Sequence, residues 1–190
     1  QALGLLAELL GGGLRTNSVA FNAAISACEK CGEWRQALAL LAEMERRQVA
    51  ADVVSFNAAS SACGSAGDWQ RALGLLAELR ARGLRPTVIT YNAVISACEK
   101  GGEWLRAVGL LQQLQAQRLR PTVVTFNACI LALSAAQQWA RVLALLGEMG
   151  AQGARLDVDT YSLALSELEQ QGSLTIEAAL LASLGNAVAA

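Results

Sequence analysis

Histidine is absent from all 190 residues, and with it goes the side chain most used as a general base near neutral pH. Ser-His and Cys-His nucleophilic pairs are excluded for the same reason. Proline occurs only at Pro86 and Pro121, so little in the chain forbids helix. Charge is scarce and balanced, 15 basic against 16 acidic residues, which leaves no basic tail or block for bulk attraction to nucleic acid. Although 54% of the residues are hydrophobic, no uninterrupted apolar run reaches the length of a membrane-spanning helix, and no membrane partner is expected. The carboxylate pairs Glu99 with Glu103 and Asp157 with Asp159 read as solvated helix and turn charges rather than as an acid and its base. The expectation is a chain that is not an enzyme, with no cofactor and no small-molecule substrate.

Cysteine is also sparse. There are five, an odd number, and Cys28, Cys63 and Cys98 recur at a fixed interval within an apolar helical pattern, as small buried residues do. A disulfide framework is not expected. Cys28 and Cys31 form one isolated C-x-x-C, so a zinc site would have to borrow two further ligands from Cys63, Cys98, Cys129 or carboxylates. No metal site is expected.

What the chain does have is a period. Phe21, Phe56, Tyr91, Phe126 and Tyr161 stand 35 residues apart, followed by Asn22, Asn57, Asn92, Asn127 and then Ser162. Trp34, Trp69, Trp104 and Trp139 share the interval, as do Gly32, Gly67 and Gly102. A unit of this length cannot bury its own apolar face, so neighbours stack and bury it jointly. The period divides the chain into complete units at 18–52, 53–87, 88–122 and 123–157, with a partial unit at 1–17 and a degenerate partial unit at 158–190. The segment QALGLLAEL from Gln1 matches QALALLAEM from Gln36, so the chain opens in mid-repeat and is expected to be a piece of a longer array. No basic-then-apolar leader is visible at its start. With no first helix of its own, the opening half-unit leaves Leu3, Leu5, Leu6 and Leu9 uncovered and is expected to fray or self-associate.

Within the unit Val88 to Thr122, Thr90 is expected to cap a first helix running to Lys100, whose Tyr91, Val94, Ile95 and Cys98 follow the spacing of one buried face. Ser55 and Thr125 would take the same capping role, which Ala20 cannot. Gly101 and Gly102 relieve the turn, and Gln137 stands where the corresponding glycine is missing. A second helix is expected over about Glu103 to Gln117, with a stripe of Trp104, Ala107, Val108, Leu110, Leu111 and Leu114, until Pro121 forbids continuation. The tryptophans read as packing residues.

The segments VVTFN at 123, VITYN at 88 and GLRPT at 83, at this period, resemble the pentatricopeptide repeat family along essentially the whole chain. The resemblance implies an all-α fold, a right-handed α-solenoid of stacked helix-turn-helix hairpins. It also implies recognition of single-stranded RNA at one base per repeat. In the family, the Asn at the fifth repeat position and the last residue of the repeat face one base edge. The implied pairs are Asn22 with Asp52, Asn57 with Thr87, Asn92 with Thr122 and Asn127 with Asp157. Asn with Asp prefers uracil and Asn with Thr leans to pyrimidine, so the array would read U-Y-Y-U. Ser162 would begin a purine-type pair. The family clamps each base between aliphatic side chains at the second position, here Val19, Val54, Ile89 and Val124, although the same pattern suits inter-repeat core. A helix lysine that meets phosphate in some repeats corresponds to Lys30 and Lys100, while Ser65 and Ala135 hold that place in the other two units. The implied biology is organellar RNA processing, stability, editing or translation, in chloroplasts rather than mitochondria, with RNA-processing proteins as further partners.

The residue chemistry supports such a role on its own terms. Asn offers both a donor and an acceptor to a pyrimidine edge, while an Asp carboxylate only accepts and so favours the N3–H of uracil over the bare N3 of cytosine. A second reading is a protein-interaction scaffold, since paired-helix solenoids form concave docking surfaces. Four successive asparagines at one position favour a repeated ligand such as a nucleotide chain.

Overall fold

The structure, a computed structural model, describes residues 17–151. Among the described residues there are eight helices and no strand. They are α1 (Ser18–Cys31), α2 (Trp34–Arg46), α3 (Val53–Ser65), α4 (Trp69–Ala81), α5 (Val88–Lys100), α6 (Trp104–Ala116), α7 (Val123–Ala135) and α8 (Trp139–Ala151). The chain divides into two compact units, the first ending at Gly101 and the second beginning at Gly102. Residues 1–16 of the opening half-unit and the degenerate unit after Asp157 lie outside the described residues.

In the first unit α1, α3 and α5 lie side by side, while α2 packs on α1 and α3, and α4 on α3 and α5. Stacked helical hairpins result, as the period requires. Phe21, Phe56 and Tyr91 are fully buried at equivalent places, with Ile25, Ile95, Cys63 and Cys98 beneath them and Ala37, Met44, Ala72 and Leu79 facing them from α2 and α4. Helix α3 has neighbours on several sides and is buried around most of its girth, which its small residues Ala58, Ala59, Ala62 and Gly64 permit. Ser60 is fully buried there without a hydrogen-bond partner, where Ile25 and Ile95 stand in the flanking repeats. An orphaned hydroxyl of this kind costs about 1–3 kcal/mol. In the second unit α7 packs against α6 and α8, closing a core of Phe126, Cys129, Ile130 and Leu133 with Leu111, Leu114, Val142 and Met149.

Helix starts differ from the sequence expectation. The caps of α3, α5 and α7 are Asp52, Thr87 and Thr122, each with extended backbone, and the helices begin immediately after them. Ser55, Thr90 and Thr125 are not caps. They sit at the third helical position, fully buried, and return a hydroxyl to the cap's backbone N–H, completing a capping box. In α5 and α7 two threonines three apart make the local pattern symmetrical, and burial of the second, against Asn57 in the case of Thr90, breaks the tie. Helix α1 starts from Asn17, whose Oδ1 accepts from Ala20 N–H at 3.1 Å.

Proline does not end the second helices. Helix α6 stops at Ala116, and Arg118 enters the left-handed region at φ 58°, so that Leu119 N–H reaches back to Leu114 O at 3.2 Å. Gln48 (φ 57°) makes the same exit from α2 with no proline following. Gln137 likewise holds φ 57° where Gly32, Gly67 and Gly102 turn the other hairpins.

The tryptophans are half-buried at the first position of each second helix, outside the core. Trp34 is flanked by the guanidinium groups of Arg35 and Arg71 at 4.5 and 4.4 Å, and Trp104 by Arg141 at 4.6 Å, so cation–π contact contributes to their packing. Glu99, expected to be solvated, is half-buried, and burial raises its carboxyl pKa against the opposing effect of Lys100. None of the five cysteines is in a disulfide, and only Cys31 is exposed. Burial pushes the Cys63 thiol up to about 11. Burial, then Cys31 and Glu33, raise Cys28 as well. Among the described residues no cluster of three or more Cys, Asp or Glu is placed to hold a metal ion, and no helix is long and apolar enough to cross a membrane.

Candidate nucleic-acid interface

Positions two and five of a helix are three residues apart and share a face. Val19 and Asn22 on α1, Val54 and Asn57 on α3, and Ile89 and Asn92 on α5 therefore form paired sites, repeated across the first unit by the side-by-side packing of these helices. Val124 and Asn127 form the equivalent pair on α7 in the second unit. The aliphatic members are not core: their exposure lies between 55% at Val54 and 69% at Val19. Each of the four asparagines is half-buried.

Asn22 and Asn57 are held by the following repeat. Asn22 Nδ2 donates to Asp52 Oδ1 and Oδ2 at 3.2 and 3.4 Å, while Ser55 Oγ donates to Asn22 Oδ1 at 2.5 Å. Asn57 Nδ2 donates to Thr87 Oγ1 at 3.4 Å, while Thr90 Oγ1 donates to Asn57 Oδ1 at 2.5 Å. Neither amide bonds the backbone of its own first turn. An Asn side chain has two N–H groups and two lone pairs. With these partners engaged, a donor and an acceptor remain for a ligand.

The last residue of each unit is positioned by helix formation itself, because it is the cap of the next helix. Asp52 Oδ1 accepts from Ser55 N–H at 2.9 Å, and Ser55 Oγ accepts from Asp52 N–H at 3.2 Å. Burial pushes the Asp52 carboxyl up, but hydrogen bonds from Ser55 N–H, from the Ser55 hydroxyl proton that it shares with Asn22 Oδ1, from Asn22 Nδ2 and from Val54 N–H together outweigh it and hold its pKa below the ordinary value. The group is therefore an anionic acceptor at neutral pH. Asn92 lies on α5, Thr122 caps α7 and Asn127 lies on α7. Asp157 lies outside the described residues.

Because its folded-state pKa is depressed, Asp52 contributes stability that is complete above its unfolded value and is lost as pH falls through the folded one. Asp52→Asn keeps a capping oxygen without the charge. Thermal melts of both proteins from neutral to acid pH should show the wild type more stable near neutrality, the difference closing below the ordinary carboxylate range. A constant difference across that range would mean that the carboxylate is not the group that matters.

Lys30 and Lys100 are exposed in the last turns of α1 and α5, as are Ser65 and Ala135 at the ends of α3 and α7. Eight residues of helix place Lys30 about 12 Å from Asn22 along the axis, beyond reach of the same base edge. At a helix C-terminus a lysine also complements the dipole. Sequence reasoning missed Ser55 and Thr90 as members of the site. Their signal was present as a hydroxyl residue three after each cap, in DVVS and TVIT.

The pentatricopeptide repeat domain profile matches residues 39–101 and 75–135, and the PPR repeat profile matches residues 19–49. No curated protein matches the chain. Among solved structures, the pentatricopeptide repeat protein PPR10 from maize is similar at 26% identity and a TM-score of 0.74 over 97% of this chain and 26% of that one. PPR10 in complex with an 18-nt psaJ RNA element is similar at 27% identity and a TM-score of 0.73, over 98% and 31%. The PPR domain of Arabidopsis thaliana protein-only RNase P 1 in complex with tRNA shares the fold at 13% identity and a TM-score of 0.75, over 91% of each chain. This chain thus spans about a quarter to a third of the PPR10 structures it resembles.

Proposed function

From the chain's membership of the pentatricopeptide repeat family, we propose that it binds single-stranded RNA, one base to each unit from 18–52 to 123–157. The observation that carries this reading is the repeated pairing of an exposed aliphatic residue with an asparagine held by the cap of the next helix. PPR10 has been solved with RNA. A uracil edge-on to Asn22 and Asp52 offers its N3–H to the free carboxylate lone pairs and takes the remaining Asn22 N–H on a carbonyl oxygen. Val19 and Val54 lie on either side of such a base. Thr87 can donate as well as accept, so the Asn57 unit takes either pyrimidine. The preference along the RNA is U-Y-Y-U, with Asp157 completing the last pair. Lys30 and Lys100 meet phosphate. The setting is an organelle, a chloroplast rather than a mitochondrion, where such binding steers processing, stability, editing or translation together with other RNA-processing proteins.

Titration of short labelled RNAs of uniform U, C or A tests this. Stacking on aromatic side chains is worth about 1–3 kcal/mol per base, and aliphatic clamps fall at the lower end. Four such contacts, less the cost of association, give micromolar binding with U preferred over A. Salt dependence should be shallow, since each phosphate contact contributes a slope of about −0.7 and few are available. Equal affinity for all three RNAs, or none, would overturn the proposal in favour of a protein scaffold.

A further inference from the structure

We infer that Thr90, a residue outside the base-reading pairs, is a positioning residue for specificity: its hydroxyl sets which end of the Asn57 amide faces the base. The inference rests on the RNA reading above. Thr90 is fully buried, so its hydroxyl meets no solvent and its bonds are set by its neighbours. Its oxygen accepts Thr87 N–H at 3.0 Å, and it lies 2.5 Å from Asn57 Oδ1, to which it donates. Donation to that oxygen turns Asn57 Nδ2 toward Thr87 Oγ1, 3.4 Å away.

The alternative orientation of the amide would place Oδ1 against residue 87. Thr87 tolerates that, because a hydroxyl can donate as well as accept. Thr90 Oγ1 also lies 3.2 Å from Thr87 Oγ1 and could turn its proton there, but its 2.5 Å contact with Asn57 suits an O–H···O bond and is too short for N–H···O, so this contact holds Oδ1 toward Thr90. The orientation decides whether the free edge of Asn57 leads with its donor or its acceptor. The first repeat differs. There the partner is Asp52, an ionised carboxylate that cannot donate, so a reversed Asn22 amide would set oxygen against oxygen. Ser55 Oγ makes the equivalent 2.5 Å contact with Asn22, but the carboxylate already fixes the amide. The hydroxyl at the third helical position is thus required where the unit closes with Thr and redundant where it closes with Asp.

Two isosteric or near-isosteric changes separate these cases. Thr90→Val removes the hydroxyl and keeps the shape, and Thr90→Ser keeps the hydroxyl. The base preference of the Asn57 unit is read from RNAs varied at one nucleotide, the position being that at which Asn57→Ala flattens the preference. Thr90→Val should reduce the pyrimidine-over-purine ratio there by about threefold to tenfold, the worth of one orienting hydrogen bond. Thr90→Ser should restore it, and neither substitution should change the U preference of the Asn22 unit by more than twofold, a spread of under about 0.5 kcal/mol. A purely structural role for Thr90 would instead weaken all RNAs alike, with ratios unchanged, and would overturn the inference. In the RNA-free protein, the Asn57 side-chain amide should show two well-separated, slowly exchanging proton signals that collapse toward solvent-exposed values in Thr90→Val. Signals unchanged by that substitution would overturn the inference even if RNA binding stands. Unchanged amide behaviour is distinct from a wild type that discriminates no bases, which would sink both this inference and the RNA reading.

Discussion

Asn22→Thr, with Asp52 kept, should move the preferred base at the first complete repeat from uracil to guanine, with a change of about tenfold in each direction, or about 1.4 kcal/mol. The pentatricopeptide repeat family associates a Thr with Asp pair with guanine, and the geometry here supplies a physical reason. Asn22 Nδ2 occupies both oxygens of Asp52. Removing the amide frees the carboxylate to accept both N1–H and N2–H of a guanine edge, two donors that uracil does not present together. The shorter threonine also makes room for the larger purine. Folding should change by under about 1 kcal/mol, because the lost hydrogen bonds are partly exposed and Asp52 keeps its cap on α3. Competition between otherwise identical RNAs bearing U or G at one position measures the switch. If the substitution lowers affinity for both equally, Asn22 does not read a base. The same exchange at Asn127 depends on Asp157, which lies outside the described residues.

Gly64→Ala should destabilise the chain by about 1–3 kcal/mol, although alanine is intrinsically better in a helix by about 0.5–1 kcal/mol. A Cβ at Gly64 would lie 2.8 Å from the carbonyl oxygen of Ala93, so α3 and α5 would have to separate. Backbone against backbone leaves no flexible side chain to yield. Gly74→Ala is the control. Its Cβ would enter open space on α4, so the same substitution should there raise stability by the propensity difference. Urea unfolding followed by circular dichroism gives both signs in one experiment. Two stabilised variants would show that α3 and α5 are not in close contact. Separation of these helices also pulls Asn57 from Thr87 and Thr90, so Gly64→Ala should lose base discrimination at the Asn57 unit beyond what its loss of stability explains.

The period alone determined much of this protein. A 35-residue interval with two apolar stripes can bury its surface only as stacked helical hairpins, and the buried aromatic at Phe21, Phe56, Tyr91 and Phe126 follows from spacing without further information. The place of the asparagines on one helical face was legible for the same reason. Other properties depend on neighbours about thirty residues away and were not legible locally. Whether Val54 and Ile89 were core or surface was open in the sequence, because β-branched residues suit either, and packing of α1, α3 and α5 left them outside. Which hydroxyl capped α5 was misread, since Thr87 and Thr90 each satisfy the local rule. The tie was broken by Asn57 of the preceding repeat, which meets the buried hydroxyl of Thr90. Local periodicity sets helices and faces because it acts through backbone geometry within one turn. The orientation of a side-chain amide is decided only when the next repeat arrives, since its hydrogen-bond partners reside there.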